Sequence, residues 1–335
     1  MKISDLKKAI KIKERSELEQ LVIKLYKLIP KSKIEDSQID IEIEPHINVQ
    51  TEQADKQAED EEWLLGEISE FISLFYEQKY GIPNRVIAKS RRSKWRFEVM
   101  GFYKEIGKIW KDSERKQALA DIFMELYIAM AYGCSYYLVS SDDLFASIRK
   151  SQVDFFEQVV IYLKEVYSGE ELQKKLITLT TSPGLSSDTI PSDLYGAIPK
   201  IFDNPLFIEE FYDKLLAHYD QKKSEYVEKK KKDKYTGDYH LVNIFEGLII
   251  QLIALSEFDK VEKLFLKEYS TYGHKDMMYY VVTRILQEYA ANPQKTLLSI
   301  LSTAEKNGID LRDRLKELMQ KLKADINAGI KNIYI

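Results

Sequence analysis

The sequence predicts an all-α protein, a helical bundle followed by stacked αα-hairpins in a repeat-like superhelix, and three observations carry that prediction. Apolar residues recur at helical spacing through nearly every long segment. Only 13 Gly and 8 Pro punctuate 335 residues, which suits long helices joined by short connections. Toward the C-terminus the helices pair at roughly the 30–40-residue period of helical-repeat stacks, a reading carried by element length and not by a repeated consensus.

Residues 1–30 read as an N-terminal helix pair. Ser4 caps the first helix, and Ser16 with Glu19 has the capping-box spacing for the second. Leu18, Leu21, Val22, Leu25 and Ile29 share one face until Pro30 stops it. Residues 31–62 break the pattern. Ile39, Ile41 and Ile43 alternate with acids at strand-like spacing, but no compatible second strand lies nearby, and from Glu35 to Glu62 the one Lys or Arg is Lys56. The segment reads as a mobile acidic linker, with an edge strand as the alternative.

Residues 63–179 predict a helical domain. Leu64, Ile68, Phe71, Ile72 and Phe75 form one stripe, ended by Gly81 and Pro83; Trp95, Val99, Phe102, Ile106 and Ile109 form the next. Helices over 118–138 and 144–167 follow, separated by Ser140-Ser141-Asp142-Asp143, a turn and N-cap signal. A shorter one covers 170–178. The stretch 180–188, with Pro183-Gly184 among Ser and Thr, is a loop, and 180–204 reads as the linker between two domains. Residues 205–335 predict the αα-hairpin domain: a helix over 207–219 leading into the Lys-rich 228–234, then 241–255 with 259–269, and 277–289 with 294–306. Gly308 stops the last of these before a closing helix over 311–330.

A 44% hydrophobic and 31% charged composition is that of a globular chain rather than a disordered one. The 22 Tyr read as core filler whose hydroxyls still reach water. Cys134, the one cysteine, reads as a buried thiol in a reducing compartment. The N-terminus lacks the apolar stretch of a signal peptide, and the most apolar run, 248–255, is too short to span a bilayer. The expected location is therefore cytoplasmic, with no membrane partner. A net charge of -4 argues against a protein built around nucleic acid, though not against a local basic site.

Leu6-Lys7-Lys8, then Leu18, Leu21 and Leu25-Tyr26-Lys27, then Lys94, Phe97, Phe102 and Lys104 ahead of a helix over 121–137, resemble the pattern of an uncharacterised bacterial all-helical family. The resemblance covers roughly the first 200 residues; the 31–62 insert and the C-terminal half depart from it. It implies an all-α fold and no particular chemistry.

Catalytic and cofactor constellations are not legible. His46, His218, His240 and His274 are scattered, without metal-ligand spacing, and Cys134 stands alone. No Gly-rich phosphate loop or nucleophile elbow occurs. Asp142-Asp143 and Glu209-Glu210 are explained by capping and by the helix dipole. No cofactor or metal is expected, and no catalytic residue is assigned. The Lys229–Lys232 run with Lys234 reads as a solvated helix end or loop.

The segment 85–96 stands apart. Arg85, Lys89, Arg91, Arg92, Lys94 and Arg96 occur with no acid until Glu98, and four of these six cations are Arg, which grips carboxylate or phosphate bidentately. A helix starting near Ser90 or Ser93 would crowd them at its positive end, at about 0.3–1 kcal/mol per cation in the first turn. A helix starting at Pro83 would remove that cost. The balancing anion is, in order of preference, the chain's own acidic segment, an acidic protein partner, or nucleic acid. The expected function is a non-enzymatic protein-binding scaffold or adaptor. The alternative is a nucleic-acid-binding accessory protein that uses 85–96.

Overall fold

The computed structural model describes residues 39–80, 94–136, 138, 139, 141, 143–181, 184–233 and 237–327, with eight scattered positions between 18 and 33; for 39–57 it describes the backbone only. The described residues are α-helical throughout, with short connections and no strand. They fall into two units, residues 1–64 and 65–335.

In the first unit the acidic linker is corrected. Helix α1, Ile39–Tyr76, runs through the whole of 39–62, where neither a linker nor an edge strand had a place for it. From Glu52 to Glu62 Glu, Gln, Lys and Ala, strong helix formers, predominate and no Gly or Pro interrupts them, so there propensity outweighs the like charges; the helix also runs through Pro45, which propensity does not explain. The N-terminal helix pair expected over 1–30 lies, but for a few positions, outside the described residues.

In the second unit α2, Trp95–Ile109, is followed by α3, Lys116–Ser135, α4, Leu144–Ile148, and α5, Gln152–Val166. An aromatic cluster joins them. Phe123 meets Tyr103, Phe155 and Tyr162, and the Trp110 indole stacks on Tyr162 at 3.8 Å while donating to Glu165. Trp95 is buried against Phe75, as its place in the apolar stripe predicts. Helix α3 is long and apolar enough to cross a membrane, but its apolar face is core. Cys134 is only half-buried, and burial pushes its thiol up from its ordinary value.

The single helix expected over 144–167 is two helices. Arg149 adopts the left-handed conformation at φ 58°, and the Ser151 side chain then accepts the Asp154 N–H to start α5. Asp143 caps α4 as predicted, accepting the Ala146 N–H at 2.9 Å. It also accepts the hydroxyls of Ser186 and Ser187 and the Ser187 N–H, and so ties down the 184–188 loop. Desolvation opposes its charge, but these hydrogen bonds outweigh it and hold the carboxyl at about 2. Asp143→Ala is therefore expected to cost about 1–3 kcal/mol at neutral pH. Because the folded pKa lies below the unfolded value, this stability is present above about pH 4 and is lost as pH falls toward 2. Urea melts of both proteins at pH 6 and pH 2.5 check it: the gap narrows in acid.

Helix α6, Gly169–Thr180, leads to α7, Pro191–Ile201. The stretch 180–204, read as a linker, thus contains a helix, and residues 65–335 form one compact unit. Helix α7 packs on α5, α6 and α9 and places Leu194, Tyr195, Ala197 and Ile198 in the core. Pro191 starts it, where a missing N–H costs nothing.

Helix α8, Pro205–Lys232, absorbs both the predicted 207–219 helix and most of the Lys-rich run. Four lysines close its last turn, where the helix dipole favours cations. Helix α9, Tyr239–Ala254, is the hub and packs on α7, α8, α10 (Phe258–Glu268) and α11 (Lys275–Tyr289). Its Leu248–Ile253 run is buried on all sides. Gly247 lets it close on α7: a Cβ there would sit 2.5 Å from the Tyr195 ring. After a 3₁₀ turn, Tyr269–Thr271, come α11, α12 (Gln294–Lys306) and α13 (Asp313–Asn327). The αα-hairpins stack: α9 packs on α11, α10 on α12, and α12 on α13.

The Tyr expectation needs revision at four positions. Tyr127, Tyr195, Tyr219 and Tyr279 are fully buried, and three bond inside the protein: Tyr127 to Gln152, Tyr219 to Glu268 and Tyr272, Tyr279 to Thr303.

Candidate functional site

Of the basic segment, Arg85, Lys89, Arg91 and Arg92 lie outside the described residues. Lys94 and Arg96 are exposed at the start of α2, which begins at Trp95, later than either start weighed from the sequence. The Arg96 guanidinium lies 5.2 Å from the centre of the exposed Phe97 ring. Glu98 supplies an acid to the same first turn, which offsets the cations against the helix dipole.

A large concavity lies elsewhere. It is a groove of about 1040 Å³ between the C-terminal half of α6, the middle and end of α8, and the first two turns of α9. Ile177, Leu241 and Ile244 line its apolar floor, and Ile128 of α3 and Tyr195 of α7 reach it from below. Tyr195 is fully buried with its hydroxyl toward Thr180, whose own hydroxyl donates to the Leu176 carbonyl. Burial pushes the Tyr195 phenol far above its ordinary range.

The walls are cationic. Lys174 comes from α6, and Lys214, Lys222 and Lys229 from one side of α8. Spacings of four, seven and eight residues along α8 bring that face to the groove. Lys174 and Lys214 share Glu170, at 3.1 and 3.3 Å, and that exposed carboxyl is held below its ordinary value by hydrogen bonds from both. Lys222 bonds Glu225 at 3.0 Å, and Gln221 donates to the same carboxylate. Two acids thus stand against four lysines along this wall.

Two histidines that are scattered in the sequence meet here. His218 of α8 is half-buried in the wall, and His240, the second residue of α9, stands at the exposed rim against the Tyr239 ring. Desolvation and then Lys222 hold His218 below the ordinary imidazole value, with Glu225 opposing. Desolvation, Lys222 and Lys229 do the same to His240. All three residues line the same groove, His218 one turn before Lys222 on α8 and His240 in the first turn of α9.

Sequence reasoning missed this groove. The 229–232 run, read as a solvated helix end or loop, is the exposed last turn of α8, and there Lys229 lines the groove while Lys230 donates to Tyr226 and Lys231 pairs with Glu228. The one signal available was the recurrence of Lys214, His218, Lys222 and Lys229 on one helical face. No group of three or more His, Cys, Asp or Glu able to hold a metal ion occurs among the described residues. Comparison with protein-family models, with characterised protein sequences and with solved structures finds no match to this chain.

Proposed function

We propose that this chain is a non-enzymatic binding protein whose groove between α6, α8 and α9 receives an acidic segment of a protein partner. The supporting observation is the pairing of an apolar floor with walls that carry Lys174, Lys214, Lys222 and Lys229. An amphipathic segment buries apolar side chains on such a floor and sets its acids against the walls. Lysines are flexible point charges, so they favour diffuse complementarity to a run of carboxylates over bidentate recognition of one planar group. The volume is at or beyond the upper end for a single small ligand, which also suits a peptide.

A fluorescent peptide that alternates Glu with Leu and Phe is the probe. Binding is expected at low salt, weakening as salt rises. Lys222→Glu/Lys229→Glu is expected to weaken it about tenfold or more, since two attractions become repulsions. No binding by the unaltered protein at low salt, or equal binding by the reversed variant, overturns the proposal. The nucleic-acid alternative is separated by gel shift. Retardation at low salt that is lost when Arg85, Lys89, Arg91, Arg92, Lys94 and Arg96 are reversed would favour it.

A further inference from the structure

We infer that His218, His240 and Lys222 form an anion subsite at the mouth of the groove, which takes a carboxylate of the partner segment and takes up protons as it does so. This rests on the groove being the partner site. The geometry is a convergence of two helices: His218 lies one helical turn before Lys222 on α8, and His240 lies in the first turn of α9.

The surroundings decide the protonation state. On α8, Lys222 and Lys229 disfavour the imidazolium, while Glu225 favours it at His218 but is engaged by Lys222 and Gln221. On α6, Lys174 is matched by Glu170, which also holds Lys214 of α8. Ahead of α9, Asp238 accepts the Gly273 N–H. Burial pushes the Tyr195 phenol up, so it adds no charge near pH 7. The free groove thus keeps both imidazoles uncharged at neutral pH, and an arriving carboxylate reverses the balance by rewarding the charged form. The first amides of α9 point the same way, because the helix dipole presents its positive end beside His240.

By linkage, a ligand that raises an imidazole pKa by about one unit binds up to about tenfold tighter once pH lies below both values. The Glu/Leu/Phe peptide stays largely ionised at pH 5.5, since Glu titrates near 4.3. Its dissociation constant is to be measured at pH 7.5, 6.5 and 5.5 for the unaltered chain, His218→Gln, His240→Gln and the double variant. About tenfold or greater tightening from pH 7.5 to 5.5 is expected for the unaltered chain. The double variant is expected to show little gain in acid, measured against its own affinity at pH 7.5. Calorimetry at pH 6.5 in two buffers of different ionisation enthalpy is expected to show proton uptake. Imidazole NMR titrations with and without peptide provide the same readout should the double variant not fold. Equal pH profiles for the unaltered and double-variant proteins, or no proton uptake, overturn the subsite while leaving the groove reading intact. Absence of binding at every pH overturns the groove reading itself.

Discussion

Arg284→Met is expected to destabilise the fold by about 3–5 kcal/mol at pH 7.5, among the largest effects of any single side-chain truncation in this chain. Arg284 of α11 donates one guanidinium nitrogen to the Ser192 hydroxyl of α7 and another to Glu246 of α9, both at 2.8 Å. Glu246 is buried, so removing Arg284 strands a carboxylate in the core. Tyr289, a turn and a half after Arg284, donates to the Ser192 carbonyl and fixes the same junction. The loss is therefore electrostatic rather than one of packing volume, and its pH dependence shows that. Desolvation already pushes the Glu246 carboxyl above its ordinary value, although Arg284 opposes it, and without Arg284 it rises further. A carboxyl whose folded pKa exceeds its unfolded value contributes stability at low pH and loses it as pH rises. The penalty is thus largest at pH 7.5 and shrinks toward pH 5. Denaturant melts at both values check it, and Arg284→Met/Glu246→Leu is expected to recover most of the loss. An equal penalty at both pH values would show that lost packing dominates.

The parts of the fold that were legible are those where one physical signal acts alone. The stripe Trp95, Val99, Ile106 sits on a helix whose polar residues face away, and periodicity alone marks α2 and its buried face, though not its first residue. The turn after α9 was equally plain, with Ser256 at φ 60° between two apolar stripes. Where two signals compete, the reading fails in a systematic direction. In 39–62 charge spoke for disorder and propensity for helix; the sign of the charge governs solvation, whereas Glu and Gln govern the backbone. Across 180–204 the Pro183-Gly184 loop signal carried the linker reading over 191–201 as well. Yet Pro191 stands at a helix start, and Gly196 is the point at which α7 closes on Tyr289, where a Cβ would lie 2.5 Å from the ring.

The groove illustrates a different obstacle. Its His218 and His240 line one groove only because α8 and α9 pack side by side. No spacing rule within one element encodes that meeting, because the register between α8 and α9 depends on the whole packing of α9 against α7. The segment 85–96, conspicuous as a run of sequence, is the opposite case. Local density makes it visible, and the two described members, Lys94 and Arg96, stand exposed beside Phe97.

Gly184→Ala is expected to cost about 3 kcal/mol or more, although the sequence marks 180–188 as an ordinary connecting loop. Gly184 holds φ 113°, a conformation that L side chains rarely adopt, and strain of that kind amounts to about 1–3 kcal/mol. Space adds to it, for a Cβ would stand 1.8 Å from the Ala131 carbonyl oxygen of α3, so the backbones must separate. They are not free to do so. Buried Gln152, the first residue of α5, donates to the Gly184 carbonyl at 3.2 Å and to the Tyr127 hydroxyl at 3.1 Å, while its own carbonyl accepts the Ser186 N–H at 2.7 Å. Any shift of Gly184 breaks at least one of these bonds in a setting without water to replace it. Gly169 is a partial control: its φ of 55° lies in the left-handed helical well, and nothing lies within 4 Å of its Cβ position. Gly169→Ala therefore reads the milder strain alone, and the excess loss in Gly184→Ala combines its harsher φ with the clash and the severed Gln152 bonds. Equal melting temperatures for the two variants would mean that the 184–186 segment yields without cost. A markedly lower one for Gly184→Ala would place that loop within the cooperative core.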